Sequence, residues 1–417
     1  MGAHLPRRRS ERRGLRLWPV GTVLALAFAA AVLVAAAVFY TGWDLLGARG
    51  LKPERRIDST TLFDLVKLAF GVVAGAGALV ALVVAYRRQR VDEDGALREA
   101  TRLHTERFTT AVSQLGEDSA AVRLGGVHAL AGLADDAPTR ALRQTCIDVL
   151  CAYLRLPYTA ETDLPADDAT ARHAYLSLRE VRHTVIRLIR DHLRLAPEHP
   201  HSWQGHNFGF TNVMFDGGDL SDAVFSGGAV DFSGAVFCGG RVDFSGAVFS
   251  GGTVDFAGAV FSGDDTVSFA RAVFSGATVY FAGARFSGAT VYFTGARFSS
   301  GTVDFRAGFS GGDVYFADAG FTGGTVDFAG AGFTGALVDF AGAGFTGATV
   351  DFTDAGFYSG TVNFTRALFS GATVDFTDAG FTGATVHFNS ARGEAPTGLP
   401  TSGSPPDGLS LPSAWSN

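Results

Sequence analysis

Phenylalanine recurs through the second half of the chain with a regularity that restricts the fold to a repeat architecture. From Phe225 to Phe388 the distances from one Phe to the next alternate between 7 and 5 residues, which gives a period of 12. The segment Phe261–Phe269 has one residue more than this rhythm, and Phe305–Phe309 has one fewer. A fixed period of this length indicates a solenoid, in which each unit packs only against its neighbours.

The two Phe positions of one unit are predicted to lie on two faces of a coil. In an extended segment Val254 and Phe256 point to one side and Asp255 to the other. The following glycine, Gly258, suits a corner because glycine tolerates positive φ. Each unit then provides two faces, and two units close a coil of about 24 residues. We expect inward Phe columns and roughly seven coils at a spacing of ~4.8 Å.

The start of the array carries a motif of five-residue units. Residues Gly218–Phe225 read Gly-Asp-Leu-Ser-Asp-Ala-Val-Phe, which resembles the repeat of the pentapeptide-repeat family. The resemblance implies a right-handed quadrilateral β-helix. The later units depart from it by a two-residue insert. A subgroup of that family, anchored in membranes and with a helical domain before the repeats, is similar to this chain in four segments: Glu106–Gly116, Val122–Leu133, Glu180–Leu193 and Trp203–Phe208.

Two apolar stretches near the N-terminus predict membrane spans. Residues 17–40 and 68–86 carry no charge, and each is long enough to cross a bilayer core of ~30 Å. A cleaved signal peptide is the rival interpretation of the first stretch, but its length and the second stretch favour an uncleaved hairpin. The arginines before the first span and after the second place both termini, and the repeats, on the cytoplasmic side of the plasma membrane.

Between the spans and the repeats, the sequence predicts a small all-α domain. Helical periodicity of apolar residues appears in 96–114, 120–133, 140–156 and 174–195. Since the first coil of a solenoid has an open edge, we expect the last of these helices to cover it. The residues after 390 are rich in Pro, Gly and Ser and predict a disordered tail without a cap. An uncapped last coil would favour a homodimer through exposed strand edges.

Outward side chains of the array carry the charge. Residues 208–388 contain seventeen Asp and six Arg but no Glu or Lys, within a chain of formal net charge −7. With two units in each coil, alternate outward residues stack into columns, and six aspartates of one column are the candidate partner-binding residues: Asp231, Asp255, Asp304, Asp327, Asp351 and Asp375. Either this column binds a basic partner, or it is a solvated face that keeps the rod soluble.

Motifs that carry catalysis or bind cofactors are not found in the sequence. It contains no phosphate-binding G-x-x-x-x-G-K-[ST] and no nucleophile elbow on a strand-to-helix turn. His199, His201 and His206 cluster near Trp203, but without a carboxylate or Cys at ligand spacing we expect a linker rather than a metal site. We therefore predict no catalytic, cofactor-binding or metal-binding residues, and no enzyme.

The sequence thus predicts a membrane-anchored, non-enzymatic scaffold or protein-interaction module without direct binding to nucleic acid. Some pentapeptide-repeat proteins mimic duplex DNA and bind type II topoisomerases, so the resemblance implies an alternative, an acidic DNA mimic that binds a topoisomerase or another basic partner. The predicted organisation is a basic N-terminus, first span, connector, second span, helical domain, solenoid and tail: 1–16, 17–40, 41–62, 63–86, 91–195, 207–390 and 391–417.

Overall fold

The computed structural model describes most of the chain, which divides into two compact units, Met1–Ala100 and Thr101–Asn417. The predicted basic N-terminus 1–16 and most of the predicted connector 41–62 lie outside the described residues. The described ranges are 20–45, 58–161, 164–165, 167–263, 266–402 and 404–415.

The first unit consists of helix α1, Val20–Leu45, and most of helix α2, Ser59–Leu115. Among the described residues, α2 is the one helix that is long and apolar enough to cross a membrane. The other span of the predicted hairpin, 17–40, stays a prediction. Helix α2 also continues without a break from the predicted span 63–86 into the predicted helical domain. Within the described part of the chain, a Cβ added at Gly71 or Gly75 of α2 meets no atom within 4 Å.

Three further helices form the core of the helical region: α3 Ala120–Asp135, α4 Arg140–Leu154 and α5 Ala169–Arg194. Side chains cap two of the N-termini, where otherwise unbonded backbone N–H groups need acceptors. Thr139 accepts from the N–H of Leu142, and Asp168 accepts from the N–H groups of Thr170 and Ala171. Many of the apolar residues that gave the predicted periodicity lie buried between these helices, among them Val127, Ile147 and Val185, which confirms a helical region before the repeats.

The remainder of the second unit is a parallel β-solenoid of about eight turns, built from three sheets. The first sheet has twelve strands: β1 Phe208–Gly209, β4 Val224–Asp231, β7 Val248–Asp255, β10 Val273–Tyr280, β13 Arg297–Asp304, β16 Gly320–Phe321, β17 Thr325–Asp327, β20 Gly344–Phe345, β21 Thr349–Asp351, β24 Leu368–Phe369, β25 Thr373–Asp375 and β28 Arg392–Gly393.

The second and third sheets have eight and nine strands. The second contains β2 Met214–Phe215, β5 Val236–Phe237, β8 Val260–Phe261, β11 Arg285–Phe286, β14 Gly308–Phe309, β18 Gly332–Phe333, β22 Gly356–Phe357 and β26 Gly380–Phe381. The third contains β3 Gly218–Asp219, β6 Arg241–Asp243, β9 Thr266–Ser268, β12 Thr290–Tyr292, β15 Asp313–Tyr315, β19 Ala336–Asp339, β23 Gly360–Asn363, β27 Thr385–His387 and β29 Leu409–Ser410.

The strand register confirms that one coil holds two sequence units. Val224 pairs with Val248 and Gly320 with Gly344, each 24 residues further along the chain. The extra residue in Phe261–Phe269 lengthens one coil, so that Val248 pairs with Val273. The first coil is shorter, because Phe208 pairs with Val230. The right-handed, square cross-section implied by the family resemblance stays a prediction.

Four columns of Phe rings fill the interior. Rings stack face to face along the axis, as in Phe328 on Phe352, with centroids 4.7 Å apart and planes within 4°. Across the coil, rings from the first and third sheets meet edge to face, as Phe328 and Phe340 do at 5.8 Å and 80°. The edge-to-face arrangement suits the quadrupole of an aromatic ring, so these pairs gain stabilisation beyond their burial.

The corners of the coils use the left-handed backbone region. Four residues other than glycine take a positive φ and place their side chains over a glycine of the next coil: Asn212, Asp222, Arg271 and Asp318. Asp318 has a φ of 56°, and a Cβ built on Gly342 would lie 2.5 Å from the Asp318 Oδ1 atom. Gly342 is therefore required both for its own positive φ and for the room that Asp318 needs.

Helix α5 covers the first coil, as the sequence predicts, and helix α4 also contacts its first strand, β1. The buried carboxylate of Asp216 accepts hydrogen bonds from the Tyr158 hydroxyl, the Tyr175 hydroxyl (2.9 Å) and Arg179 Nε (3.1 Å), and lies 3.3 Å from His183 Nε2. Burial alone would raise the pKa of Asp216, but hydrogen bonds, that with His183 foremost, lower it to about 2. The contact between the helices and the first coil, hereafter the Asp216 joint, is therefore polar as well as apolar.

The other end of the solenoid corrects the prediction of a disordered, uncapped tail at 391–417. Strand β28 pairs with β24, and β29 pairs with β27, so the chain continues past the last Phe coil. Trp415 is 6% exposed and covers the last Phe rings, with its ring centroid 5.5 Å from Phe369 and 5.7 Å from Phe388. This cap covers apolar surface and strand edges at that end. The predicted homodimer depended on exposed strand edges there, so the cap removes the basis of that prediction.

Replacing Phe328 by Ala should lower the free energy of unfolding by about 3–5 kcal/mol, since the ring is fully buried and the surrounding rings cannot close the cavity. Chemical unfolding followed by circular dichroism measures the loss. Phe381→Ala serves as the control, because Phe381 is only half-buried at the edge of the second sheet, and its loss should be smaller. Equal losses for the two variants would contradict a uniform, close-packed Phe interior.

Candidate interaction surface

The predicted column of outward residues exists in the first sheet. Strand pairing places Asp231 beside Asp255, Asp255 beside Tyr280, and Tyr280 beside Asp304. The series continues through Asp304, Asp327, Asp351 and Asp375, each paired with the next. All six candidate aspartates therefore stand in one line along the rod, hereafter the acidic column, interrupted by Tyr280. That they bind a partner stays a prediction.

Each aspartate of the acidic column has a structural task that the sequence analysis did not foresee. Its carboxylate accepts a hydrogen bond from the backbone N–H two residues further on, at 2.7–2.9 Å in all six cases. Such a bond is the Asx turn, in which the side chain imitates a backbone turn. The aspartates thus shape the corner that follows each V-D-F face, whatever else they bind.

The same turn occurs in the third sheet with a neutral side chain. Asp339 Oδ1 accepts from the N–H of Ala341 at 2.9 Å, and Asn363 Oδ1 accepts from the N–H of Thr365 at 3.0 Å. Asn363 shows that the corner needs the side-chain oxygen but not its negative charge. The charge of the acidic column is therefore separable from its role in folding.

Only part of the acidic column is open to a partner. Asp304 is 3% exposed and is bonded by the Arg306 guanidinium, whose Nη2 lies 2.5 Å from Asp304 Oδ2. The same guanidinium reaches Asp327, with Nε 3.5 Å from Oδ2. Asp255, Asp351 and Asp375 are half-buried and form no ion pair with any described residue. Asp304 is thus a poor candidate for partner binding, because Arg306 shields it.

Electrostatic interactions along the column differ from coil to coil. Burial raises the pKa of the Asp327 carboxyl, and the negative charges of Asp304 and Asp351 raise it further. At the other end, burial also acts to raise the pKa of Asp231, but hydrogen bonds from Ser233 and Thr211 outweigh it and lower the pKa. The repulsion thus acts on Asp327, which has a carboxylate in the coil on either side of it.

The histidines near Trp203 are engaged within the protein. His206 is buried, and its Nδ1 lies 3.0 Å from Gln144 Oε1, while burial lowers the pKa of its imidazole to about 4. The rings of His199 and His201 meet edge to face at 5.3 Å. Within the described ranges, no group of three or more His, Cys, Asp or Glu side chains is arranged to hold a metal ion.

A signal for the missed structural role was present in the sequence. In most units the column residue is followed by Phe and then by Ser, Thr or Ala, as in Asp231-Phe232-Ser233 and Asp351-Phe352-Thr353. An Asp placed two residues before a small residue at a corner is typical of an Asx turn. The C-terminal cap had no such signal, since its buried residues Leu399, Leu409 and Trp415 follow no periodic pattern in the sequence.

Comparison with known families agrees with this architecture. Residues 210–260 match the family of pentapeptide repeats, in nine copies. The match covers the first coils, where the five-residue rhythm is strictest. No curated protein and no solved structure matches the chain. The chain thus contains pentapeptide repeats within a parallel β-solenoid, and a helical region precedes the repeats.

Asp351→Ala should destabilise the solenoid by about 1 kcal/mol, because the N–H of Thr353 then loses its side-chain acceptor. Asp351→Asn should leave the free energy of unfolding nearly unchanged, since Asn keeps the oxygen, as Asn363 does. Thermal and chemical unfolding of the two variants measure the difference. If Ala and Asn behaved alike, the carboxylate would not be shaping the corner.

Proposed function

We propose that this protein is a membrane-anchored, non-enzymatic scaffold whose solenoid binds a basic protein partner through the acidic column. The proposal rests on the line of carboxylates formed by Asp327, Asp351 and Asp375 in the neighbouring strands β17, β21 and β25. The close-packed rod holds these carboxylates at one spacing along its axis. Because the rod is rigid, a partner loses little free energy to ordering this surface.

Membrane anchoring rests on helix α2. Its apolar part is long enough to span the hydrocarbon core, and the side chains of that part are exposed rather than packed into a protein core. The arginines that follow it, Arg87, Arg88 and Arg90, place the solenoid on the cytoplasmic side. In this proposal α1 also spans the plasma membrane and forms a hairpin with α2.

The alternative function is an acidic DNA mimic that binds a topoisomerase or another basic partner. Duplex DNA carries one charge per ~1.7 Å of axis. The acidic column offers one charge per coil, or one per ~4.8 Å, and loses part of it to Arg306 and Tyr280. This lower charge density favours a protein scaffold over a mimic of DNA. The excess of negative charge also opposes direct binding of nucleic acid.

Neutralising the exposed part of the acidic column should abolish salt-sensitive capture of a partner without unfolding the rod. The variant is Asp327→Asn, Asp351→Asn and Asp375→Asn, in which every Asx turn keeps its acceptor oxygen. The full-length protein in detergent is used as bait, and recovery of bound proteins is compared at about 0.05 and 0.5 M salt.

A charge-matched control replaces three aspartates of the third sheet, Asp243, Asp313 and Asp339, by Asn. This control should retain the partner, since it loses the same total charge from another face. Equal recovery from the column variant and the wild-type protein would refute the proposed surface. Equal loss from both variants would indicate attraction by net charge only.

Membrane insertion is tested by placing charges in the apolar parts of both α1 and α2. Val73→Lys and Val80→Lys in α2, combined with Leu26→Lys and Leu33→Lys in α1, should release the protein from membranes into the alkaline-wash supernatant, because each Lys near the centre of a span costs about 2.5–3.5 kcal/mol. Val91→Lys is the control on α2, beyond the predicted span, and should remain with the membrane. A wild-type protein recovered in the soluble fraction would disprove the anchor.

A further inference from the structure

His192, in the last turn of α5, is held in a position that suits only its charged form. Its Nδ1 lies 2.6 Å from the Leu188 carbonyl oxygen, and its Nε2 lies 3.1 Å from Asp135 Oδ2. Both partners are oxygens that accept hydrogen bonds and have no proton to give. Both ring nitrogens must therefore donate, and the ring is an imidazolium cation paired with Asp135.

Trp203 completes this cluster from the linker between α5 and the first strand. Its indole is fully buried and stacks on the His192 ring, with centroids 4.0 Å apart and planes within 16°. The indole Nε1–H donates to Asp135 Oδ1 at 3.2 Å. A cation over an indole face is attracted by the ring quadrupole, so the charged form of His192 also strengthens the stack.

Asp135 thus joins three parts of the chain: the end of α3, the end of α5 and the linker. Arg143 of α4 reinforces the same place without titrating, since it donates to the carbonyl oxygens of Asp135 (3.1 Å) and Pro200 (2.7 Å). The linker leads directly to β1, the first strand of the solenoid. Whatever loosens this cluster also loosens the start of the solenoid.

We propose that His192, Asp135 and Trp203 form a pH-sensitive latch, which holds the linker 196–206 closed while His192 is protonated and releases it when the imidazole loses its proton. After deprotonation, one ring nitrogen presents a lone pair to an oxygen, so one of the two hydrogen bonds is replaced by repulsion. The stack of His192 on Trp203 then loses its cation–π attraction, while Trp203 keeps its indole bond to Asp135 and its backbone bond to the His192 carbonyl oxygen, and the linker opens more often.

The charged groups around His192 determine the direction of the pH dependence. Asp135 faces it from α3, Asp191 lies next to it on α5, His201 of the linker lies 3.8 Å from Asp135, and Arg143 of α4 binds the Asp135 carbonyl. Burial acts to lower the pKa of His192, but the hydrogen bonds to Asp135 and Leu188 and the nearby carboxylates outweigh it and raise the pKa above its ordinary 6.5.

The latch is therefore fully closed below the unfolded pKa of about 6.5 and weakens as pH rises through the folded pKa of His192. Burial acts to raise the pKa of Asp135, but the hydrogen bond and positive charge of His192 outweigh it and lower the pKa. The contribution of Asp135 is thus lost only in acid, as pH falls through its lowered pKa. The latch therefore operates at pH values above about 6.5.

Hydrogen–deuterium exchange of the full-length protein in detergent tests the proposal. Protection of peptides from 196–206, corrected for the intrinsic exchange rate, is followed from about pH 6 to about pH 9. In the wild-type protein this protection should fall as pH rises, tenfold for each unit by which folding raises the pKa of His192. Peptides of the central coils should show no such trend.

His192→Gln provides the decisive comparison, because Gln does not titrate. Its linker should be weakly protected at every pH and should lose the pH dependence. His173→Gln, an exposed histidine on the same helix, is the matched control and should behave as the wild-type protein. A wild-type linker whose protection does not change with pH, or a His192→Gln variant that retains the wild-type trend, would overturn the latch. Unchanged protection of the central coils in both variants confirms that each is folded.

Discussion

Face-to-face stacking of Phe rings is the interaction on which the rest of the solenoid depends. The stacked centroids in the central coils lie 4.6–4.9 Å apart, which is close to the separation that backbone hydrogen bonds impose on neighbouring strands. Ring packing and strand pairing therefore require the same rise per coil and stabilise each other. Every outward side chain inherits that spacing, so the interior sets the geometry of the outward surface.

The interior and the register could be predicted because a shift by one residue would expose every Phe of a coil. That constraint allows only one register between neighbouring strands, and this register places Asp231 beside Asp255. The state of Asp304 could not be predicted in the same way, since its burial depends on where the Arg306 side chain turns. The cap at Trp415 was missed because a non-periodic tail gives no register from which its packing could be inferred.

The Asx turns change how the acidic column should be interpreted. A row of aspartates on a solenoid invites a functional explanation, and the sequence analysis offered only binding or solubility. The hydrogen bond from Thr353 to Asp351 supplies a third reason, the corner, which accounts for the recurrence of oxygen-bearing side chains at this position. Since Asn363 performs the same task, the corner does not explain why most members are charged. Partner binding or solubility therefore has to explain only the negative charge of the acidic column.

Both ends of the solenoid are covered, and this limits where a partner can bind. Helices α4 and α5 and the Asp216 joint cover the first coil, and the segment that ends in Trp415 covers the last Phe rings. Edge strands that are covered in this way are poor templates for pairing with another chain. Binding along the side of the rod is therefore favoured over binding at its ends. A partner that binds the side of the rod would contact charges at one spacing. It would therefore need basic groups that repeat at about the rise of one coil.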